Sequence, residues 1–382
     1  MTSQMLFLND EVWERISELT GGAMDPCYQC GTCTATCPWG FVSGKPLNVR
    51  KLLRSAQLGV DGEPSDLWLC STCKYCEERC PRQVEIVRAV LGLRTAAFED
   101  RKAPDRLVNT LWSVFEDGNP WGGASRDRGK WAEGLEVPSA LNGVKVLLYV
   151  GCTASYDPRI QNVARSLVKI LRSADIDFGI LGSQEKCCGD VVRSVGEQGF
   201  LEELVEKNVE TFNATGAETV VTVSPHCLEI FSDVYSGYGA EFRATHYTEF
   251  LADLLDRGTL RLSNGGGASV TYHDPCYLGR YLDVYDPPRR LLEAIPGVKL
   301  VEMKNSKNNA ICCGGGGGGM WIEVEAEKRL ADLRTEEARE TQATVIATAC
   351  PFCIINFEDS LKKSRVSDVS VRDVAELVER AL

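Results

Sequence analysis

The sequence predicts an α+β multidomain protein, with an α-helical N-terminal domain followed by an α/β unit that occurs twice. Three observations carry this. Two cysteine runs of identical spacing, CYQCGTCTATCP and CSTCKYCEERCP, lie within the first 81 residues amid helical periodicity. Downstream, cysteine landmarks recur at offsets of 124, 125 and 126 residues, which marks internal duplication. Each of those landmarks follows a short apolar run of strand character, with amphipathic helical patterns between them. The expected divisions are 1–100 for the helical domain, 101–142 for a connector, 143–263 for the first α/β unit, 264–268 for a linker and 269–382 for the second unit.

In the N-terminal domain Val12, Ile16 and Leu19 share a helical face that Gly21 and Gly22 terminate. Pro46 is placed to open a second helix, whose face is Val49, Leu52, Leu53 and Ala56, ending before Gly59. A third is expected after Pro81, with Val84, Val87, Ala89 and Val90 on its buried side. Both cysteine runs read C-x2-C-x2-C-x3-C-P, the bacterial ferredoxin spacing. Such a run wraps three thiolates round three corners of a [4Fe–4S] cube, and its fourth cysteine ligates the other cluster. Cys27, Cys30, Cys33 and Cys80 are therefore expected to hold one cube, and Cys70, Cys73, Cys76 and Cys37 the second. Zinc takes four ligands and would leave the third cysteine and the x3-Pro ending of each run unexplained. About 33 residues separate the runs, more than a compact β-rich ferredoxin uses, so a helical form is expected.

Composition sets the context. Seventeen cysteines is an odd number, and the N-terminal segment MTSQMLFLNDEVWERISEL lacks the features of a secretory signal, so a metal-binding role in a reducing compartment, the cytoplasm, is expected rather than a disulfide framework. The net charge of −12 argues against nucleic acid as a partner. No apolar run approaches the roughly 20 residues of a membrane helix, so direct membrane insertion is not expected.

The connector mixes Pro, Gly, Trp and charge without clear periodicity, and Trp112, Trp121 and Trp131 are its expected interdomain anchors. Beyond it, Cys152, the pair Cys187-Cys188 and Cys227 are matched by Cys276, the pair Cys312-Cys313 and Cys353. VKVLLYV leads to Cys152, ETVVTV to Ser224 and Cys227, ASVTY to Cys276, and ATVIATA to Cys350. Ile160, Val163, Leu167, Ile170 and Leu171 repeat at helical spacing between two such runs. Alternating strand and helix predicts parallel sheets, in which ligands gather outside the carboxyl ends of the strands, where these cysteines would project. Six glycines, 314–319, follow the pair Cys312-Cys313. Gly314, Gly315 and Gly316 are expected to bring backbone close to a bulky cluster and to point N–H groups at its sulfurs. A flexible hinge is the competing reading. GGG at 265–267 has no thiols beside it and reads as a linker.

HDPCYLGR at 273–280 and ICCGGGGGG at 311–319, with Cys350-x-x-Cys353, resemble the cysteine-rich CCG domain of heterodisulfide reductase subunits. Two cubes followed by two CCG units resemble the D-type subunit, a fusion of the C and B types. The resemblance implies that Cys276, Cys312, Cys313, Cys350 and Cys353 hold a noncubane [4Fe–4S] assembly of the kind that cleaves a disulfide. The first unit departs from the pattern: Ser224 stands where the second unit has Cys350. Its Cys152, Cys187, Cys188 and Cys227 suffice for a further [4Fe–4S] cluster, the favoured reading, against inert buried cysteines. His273, three residues before Cys276, is a candidate proton shuttle or a structural hydrogen-bonding residue, and His226 beside Cys227 shares that ambiguity.

No complete dinucleotide fingerprint stands at a strand–helix turn, so no flavin or NAD is expected in this chain. The resemblance then implies electrons exchanged with flavin- and Fe–S-containing redox subunits of a larger complex. The chain is expected to act as its electron-transfer subunit; the alternative is a catalytic disulfide or heterodisulfide reductase subunit acting on a disulfide substrate at the second CCG site.

Overall fold

The structure is a computed structural model that describes residues 8–42, 47–60, 64–324 and 328–382. The helical N-terminal domain is built from Asp10–Thr20, Thr32–Thr36, Val49–Gln57, Pro64–Leu69 and Ile86–Glu99. Asn9 caps the first helix through the Val12 N–H, and Gly21, at φ 59°, ends it in the left-handed region. Val49, Leu52, Leu53 and Ala56 are buried on one face of the helix Val49–Gln57, as their spacing demands. Pro46 lies outside the described residues. The helix after Pro81 begins at Ile86, so Val84 packs in the turn before it.

The connector contains more order than its composition suggested. A helix, Asp105–Asp117, buries Leu107, Thr110, Leu111 and Val114. Trp131 is buried against the first α/β unit's core, and Trp121 packs on Trp321 at a ring separation of 5.9 Å. Trp112 is the exception: at 57% exposure it anchors nothing, and its ring meets the equally exposed Phe115.

Each α/β unit forms one parallel four-stranded sheet. The first consists of β1 (Val146–Tyr149), β2 (Phe178–Gly179), β3 (Thr219–Thr222) and β4 (Arg243–His246), in the order β2-β1-β3-β4. The second consists of β5 (Ser269–Tyr272), β6 (Lys299–Leu300), β7 (Val345–Thr348) and β8 (Ser370–Asp373), in the order β6-β5-β7-β8. The two orders are the same once offset by four strands. Corresponding registers also agree: Val146 pairs with Thr219 and Val270 with Val345.

The units pack reciprocally. Helix Gln161–Ser173 of the first unit lies on Val374–Arg380 of the second, and Tyr247–Asp256 of the first lies on Asp286–Glu293 of the second. Since Gln161–Ser173 corresponds to Asp286–Glu293, and Tyr247–Asp256 to Val374–Arg380, the contact is self-complementary, like a two-fold dimer interface folded into one chain. Arg159 ties it by bonding both Glu358 (2.5 Å) and Glu376 (2.8 Å), and the Tyr247 hydroxyl donates to Asp373 (2.5 Å). Among the described residues no helix is long and apolar enough to cross a membrane.

Candidate metal centres

All seventeen cysteines are free thiols, and the fold gathers them into four groups. Cys27, Cys30, Cys33 and Cys80 line one cavity, together with Arg50 and Arg82. Cys30 is exposed, whereas Cys33 is buried. Cys37 belongs elsewhere: its electrostatic neighbours are Cys73 and Cys70, and Cys76 feels Cys70, Cys73 and Cys37. Burial and that crowding push the Cys37 and Cys76 thiols well above the ordinary thiol range. The last cysteine of each run thus lies with the other run.

In the first α/β unit, Cys152 opens the short helix after β1, and Cys227 lies in the helix Pro225–Asp233 after β3. Pro225, like Pro351 in the second unit, begins its helix at a position with no need of an N–H. Cys152, Cys187, Cys188 and Cys227 line one cavity with Ser224. Arg128, from the connector, is fully buried there; it pairs with Glu185 at 2.9 Å and approaches the Cys152 sulfur at 3.4 Å. Glu185 in turn accepts the Val150 and Gly151 N–H groups, which fixes the turn that carries Cys152.

The second unit brings its five cysteines together at the ends of β5 and β7. The Cys276 and Cys312 sulfurs are 3.8 Å apart, and those of Cys313 and Cys353 3.2 Å. Cys350 bonds Cys353 as well. Within each close pair one sulfur is held low and the other high. Cys313 accepts from Cys312 and Cys353 and lies well below the ordinary range, whereas burial and donation to Cys313 push Cys353 well above it. Shared protons of this kind are what a metal displaces on binding. Gly314 donates its N–H to the Cys312 sulfur at 3.2 Å.

The rest of the glycine run does something different. Gly315, Gly316, Gly317 and Gly318 are buried, which weighs against a hinge. A Cβ on Gly316 would lie 2.5 Å from the Ser71 carbonyl, and one on Gly317 2.5 Å from that of Cys70. These glycines let the second α/β unit press onto the backbone of the second ferredoxin run. There the Thr72 hydroxyl meets that of Tyr277 at 2.7 Å, and the neighbouring Cys312 together with burial pushes the Cys73 thiol well above the ordinary thiol range. Arg280 is buried beside them, donating to the Cys73, Asn308 and Ala310 carbonyls. Arg94, also fully buried, donates to the carbonyls of Leu67, Cys70, Ser194 and Gly317, so one guanidinium joins three parts of the chain.

His273 lies in the interior of the second unit. It has no exposed surface, and Arg334 donates to its Nδ1 at 3.0 Å. Burial and the nearby Arg334 and Arg280 charges hold its pKa far below the usual histidine range, which favours the neutral ring. Because Nδ1 accepts, the proton sits on Nε2. A ring nitrogen and the Cys313 and Cys353 sulfurs lie within 4.8 Å of one another. His226 is equally buried but oppositely poised. Burial disfavours its charge, yet Asp190, 3.2 Å from Nδ1, and a bond to Cys350 outweigh it and hold the pKa at about 10. Sequence reasoning missed Arg94, Arg128, Arg280 and Arg334, because an isolated arginine has no local signature.

Converging thiols at strand ends, beside a helical domain with crossed cysteine runs, define an iron–sulfur protein of dicluster-ferredoxin and cysteine-rich-domain architecture. Comparison with known proteins agrees: the profile of the 4Fe-4S dicluster domain matches residues 23–84, and that of the CCG cysteine-rich domain matches 146–232 and again 270–358. The D-type subunit of the dihydromethanophenazine:CoB--CoM heterodisulfide reductase of Methanosarcina acetivorans is 31% identical over 94% of each chain. The protein belongs to this family of D-type heterodisulfide reductase subunits and their relatives. A probable iron-sulfur-binding oxidoreductase of Bacillus subtilis, FadF, is 38% identical over 83% of this chain, and the EtfAB:quinone oxidoreductase of Syntrophomonas wolfei 30% over 98%. The chain spans only 46% and 60% of those two proteins' lengths.

Proposed function

We propose that the chain is the electron-transfer subunit of a heterodisulfide-reductase-like complex, passing electrons between ferredoxin-type centres and a CCG-type centre in the second α/β unit. Cys27, Cys30, Cys33 and Cys80 would hold one [4Fe–4S] centre, and Cys37, Cys70, Cys73 and Cys76 another. Cys276, Cys312, Cys313, Cys350 and Cys353 would hold the noncubane centre, and Cys152, Cys187, Cys188 and Cys227 a fourth cluster. Bound there, these groups supply reversible one-electron chemistry at potentials that the surrounding hydrogen bonds and burial adjust. The observation that supports the reading is the close docking of the second ferredoxin run on the second CCG unit: the Thr72 hydroxyl meets that of Tyr277, next to Cys276, at 2.7 Å, and Arg280 donates to the Cys73 carbonyl at 2.5 Å.

The protein's own residues do the rest. Gly316 and Gly317 permit the close approach, Arg94 clamps it, and Arg280 sets a buried positive charge beside Cys73, Cys276 and Cys312. Such a cation favours the reduced, more negative state of whatever those thiolates hold. Cys30, exposed at the far end, is where a redox partner would exchange electrons; the names of relatives point to complexes, and a flavin-containing subunit fits them.

One observation favours the catalytic alternative. A groove of about 440 Å³, walled by Trp39, Trp68, Met320 and Leu330, reaches Cys313 and has room for a small disulfide. Anaerobic protein reduced by an artificial donor tests both readings. Reducible Fe–S signals without thiol release from added disulfides support the electron-transfer role, stoichiometric thiol release supports the alternative, and no reducible signal contradicts both.

A further inference from the structure

The arginines at the first ferredoxin-type site differ from those at the other sites. Elsewhere they are buried and committed: Arg94 and Arg280 to backbone carbonyls, Arg128 to Glu185 and Arg334 to Glu337. Around Cys27, Cys30, Cys33 and Cys80 the cations are Arg50, Arg54 and Arg82, and all three are exposed. Among the described residues none of the three has an ion pair or a side-chain hydrogen bond. Arg50 and Arg82 line the cysteine cavity, and Arg50 and Arg54 line an open hollow of about 680 Å³ beside it, with Trp13, Cys27 and Tyr28. No carboxylate lines either space. The acidic groups of the neighbouring segment are engaged elsewhere: Glu85 pairs with Arg88, and Glu77 accepts the Val87 N–H.

This positive face is held in place. Arg50 and Arg54 lie one turn apart on the helix Val49–Gln57, off its buried side of Val49, Leu52, Leu53 and Ala56. At the start of that helix the Arg50 N–H donates to the Thr34 hydroxyl at 2.8 Å. At its end Gln57 donates to the Cys27 carbonyl at 3.2 Å and accepts from Gln29 at 2.8 Å. Both ends are thus bonded to the first cysteine run. Lys51 is exposed beside the arginines, and Tyr28, 60% exposed, stands at the rim with Cys30. Like charges one turn apart weaken a helix, and no acidic side chain within the chain offsets these. The chain as a whole carries −12, so the face is a positive island on a negative molecule.

We propose that this face docks an acidic protein, whose carboxylates, ringed around its own redox group, meet Arg50, Arg54 and Arg82 and bring that group against Cys30 and Tyr28. Two proteins of net negative charge repel each other over most of their surfaces. A local patch of the opposite sign then selects which faces meet and steers the encounter. The hollow is concave, which a convex protein surface can enter and a flat lipid surface cannot. Because the face is pre-formed, docking orders little of the chain. The proposal rests on the proposed function, in which the first site exchanges electrons with a partner.

The test uses the anaerobically purified full chain, with an acidic flavodoxin in its oxidised form as the probe. Binding is read by calorimetry, without turnover. The dissociation constant is expected to rise at least about tenfold as ionic strength goes from about 0.01 M to about 0.1 M, where the screening length falls from about 30 to about 10 Å. Arg50→Gln, Arg54→Gln and Arg82→Gln together should weaken low-salt binding by at least about tenfold. Arg126→Gln, Arg257→Gln and Arg261→Gln together remove the same charge from exposed positions on the connector and first α/β unit, and should change it by less than about twofold. Carbodiimide should couple flavodoxin carboxylates to Lys51. Absent or salt-independent binding overturns the proposal, as does an equal loss in both triple variants or no loss in the iron-replete first one. Should the first variant lose iron, the salt dependence and the Lys51 coupling of the unaltered chain decide. Capture of phosphatidylglycerol vesicles through the same arginines, without coupling at Lys51, would assign the face to a membrane and overturn it too. An unaltered chain that couples flavodoxin at Lys51 but has no reducible centre would instead remove the proposed function and leave the docking standing.

Discussion

Replacing Arg94 by Met removes the clamp between the N-terminal domain and both α/β units. Four carbonyls lose a donor: those of Leu67, Cys70, Ser194 and Gly317, at 2.7 to 3.1 Å. Each bond to a charged donor is worth about 1.5–3 kcal/mol, but four such values do not add, since relaxed carbonyls regain water. Loss of one partner from a buried charged network costs about 3–5 kcal/mol, the better guide. A chain of 382 residues has an unfolding entropy of about 0.8 kcal/mol per degree if it melts as one unit. The melting temperature should therefore fall by about 4–6 °C in anaerobic circular dichroism scans at a fixed rate. Arg94→Lys should recover less than half, because an ammonium cannot span carbonyls on opposite sides of the planar guanidinium. A shift within about 1 °C for Arg94→Met would refute the clamp.

Gly317→Ala forces a Cβ to 2.5 Å from the Cys70 carbonyl at a φ of +59°, and should cost about 1–3 kcal/mol while perturbing the EPR of the second ferredoxin and second CCG centres only; an unperturbed spectrum would contradict the close docking. Cys80→Ala should abolish the same ferredoxin-type signal as Cys27→Ala, and Cys37→Ala the same one as Cys70→Ala; the opposite pairing would show that each run closes on itself. Burial raises Asp373 from its ordinary value to about 7, so the folded state binds an extra proton between about pH 4 and 7 and stability falls as pH rises through that window. At about 1.36 kcal/mol per unit the loss is about 4 kcal/mol. Asp373→Asn, whose amide oxygen can still accept from Tyr247 and the Ala375 N–H, should flatten that dependence between about pH 4 and 7 in thermal melts, and an unchanged slope would count against it.

Local spacing made the cysteines legible, since each run writes its ligand geometry into a dozen residues. The strand ends were legible for the same reason: VLLY, TVVT, SVTY and VIAT are central strands buried on both faces, and their apolar runs are short and unbroken. The edge strands were not. Phe178–Gly179 and Lys299–Leu300 are two residues long, and RATH and SVRD carry charge on their exposed positions. The connector helix escaped notice because its apolar face, Leu107, Leu111 and Val114, is interrupted by Trp112 and Phe115 pointing outward. Least legible were contacts made only by the fold. Nothing near Arg94 in sequence announces four carbonyls from three regions, and His226 acquires its partner Cys350 from 124 residues away through the internal two-fold. The two readings of His273 were open in the sequence because its burial and its Arg334 neighbour are tertiary facts.

The most direct test of the central claim is metal content with Mössbauer spectroscopy on oxygen-free protein. Four sites of four irons each predict about sixteen irons per chain, all in Fe–S environments, with one subspectrum distinct from the cubes. Stoichiometric zinc, or protein without reducible iron, would contradict it.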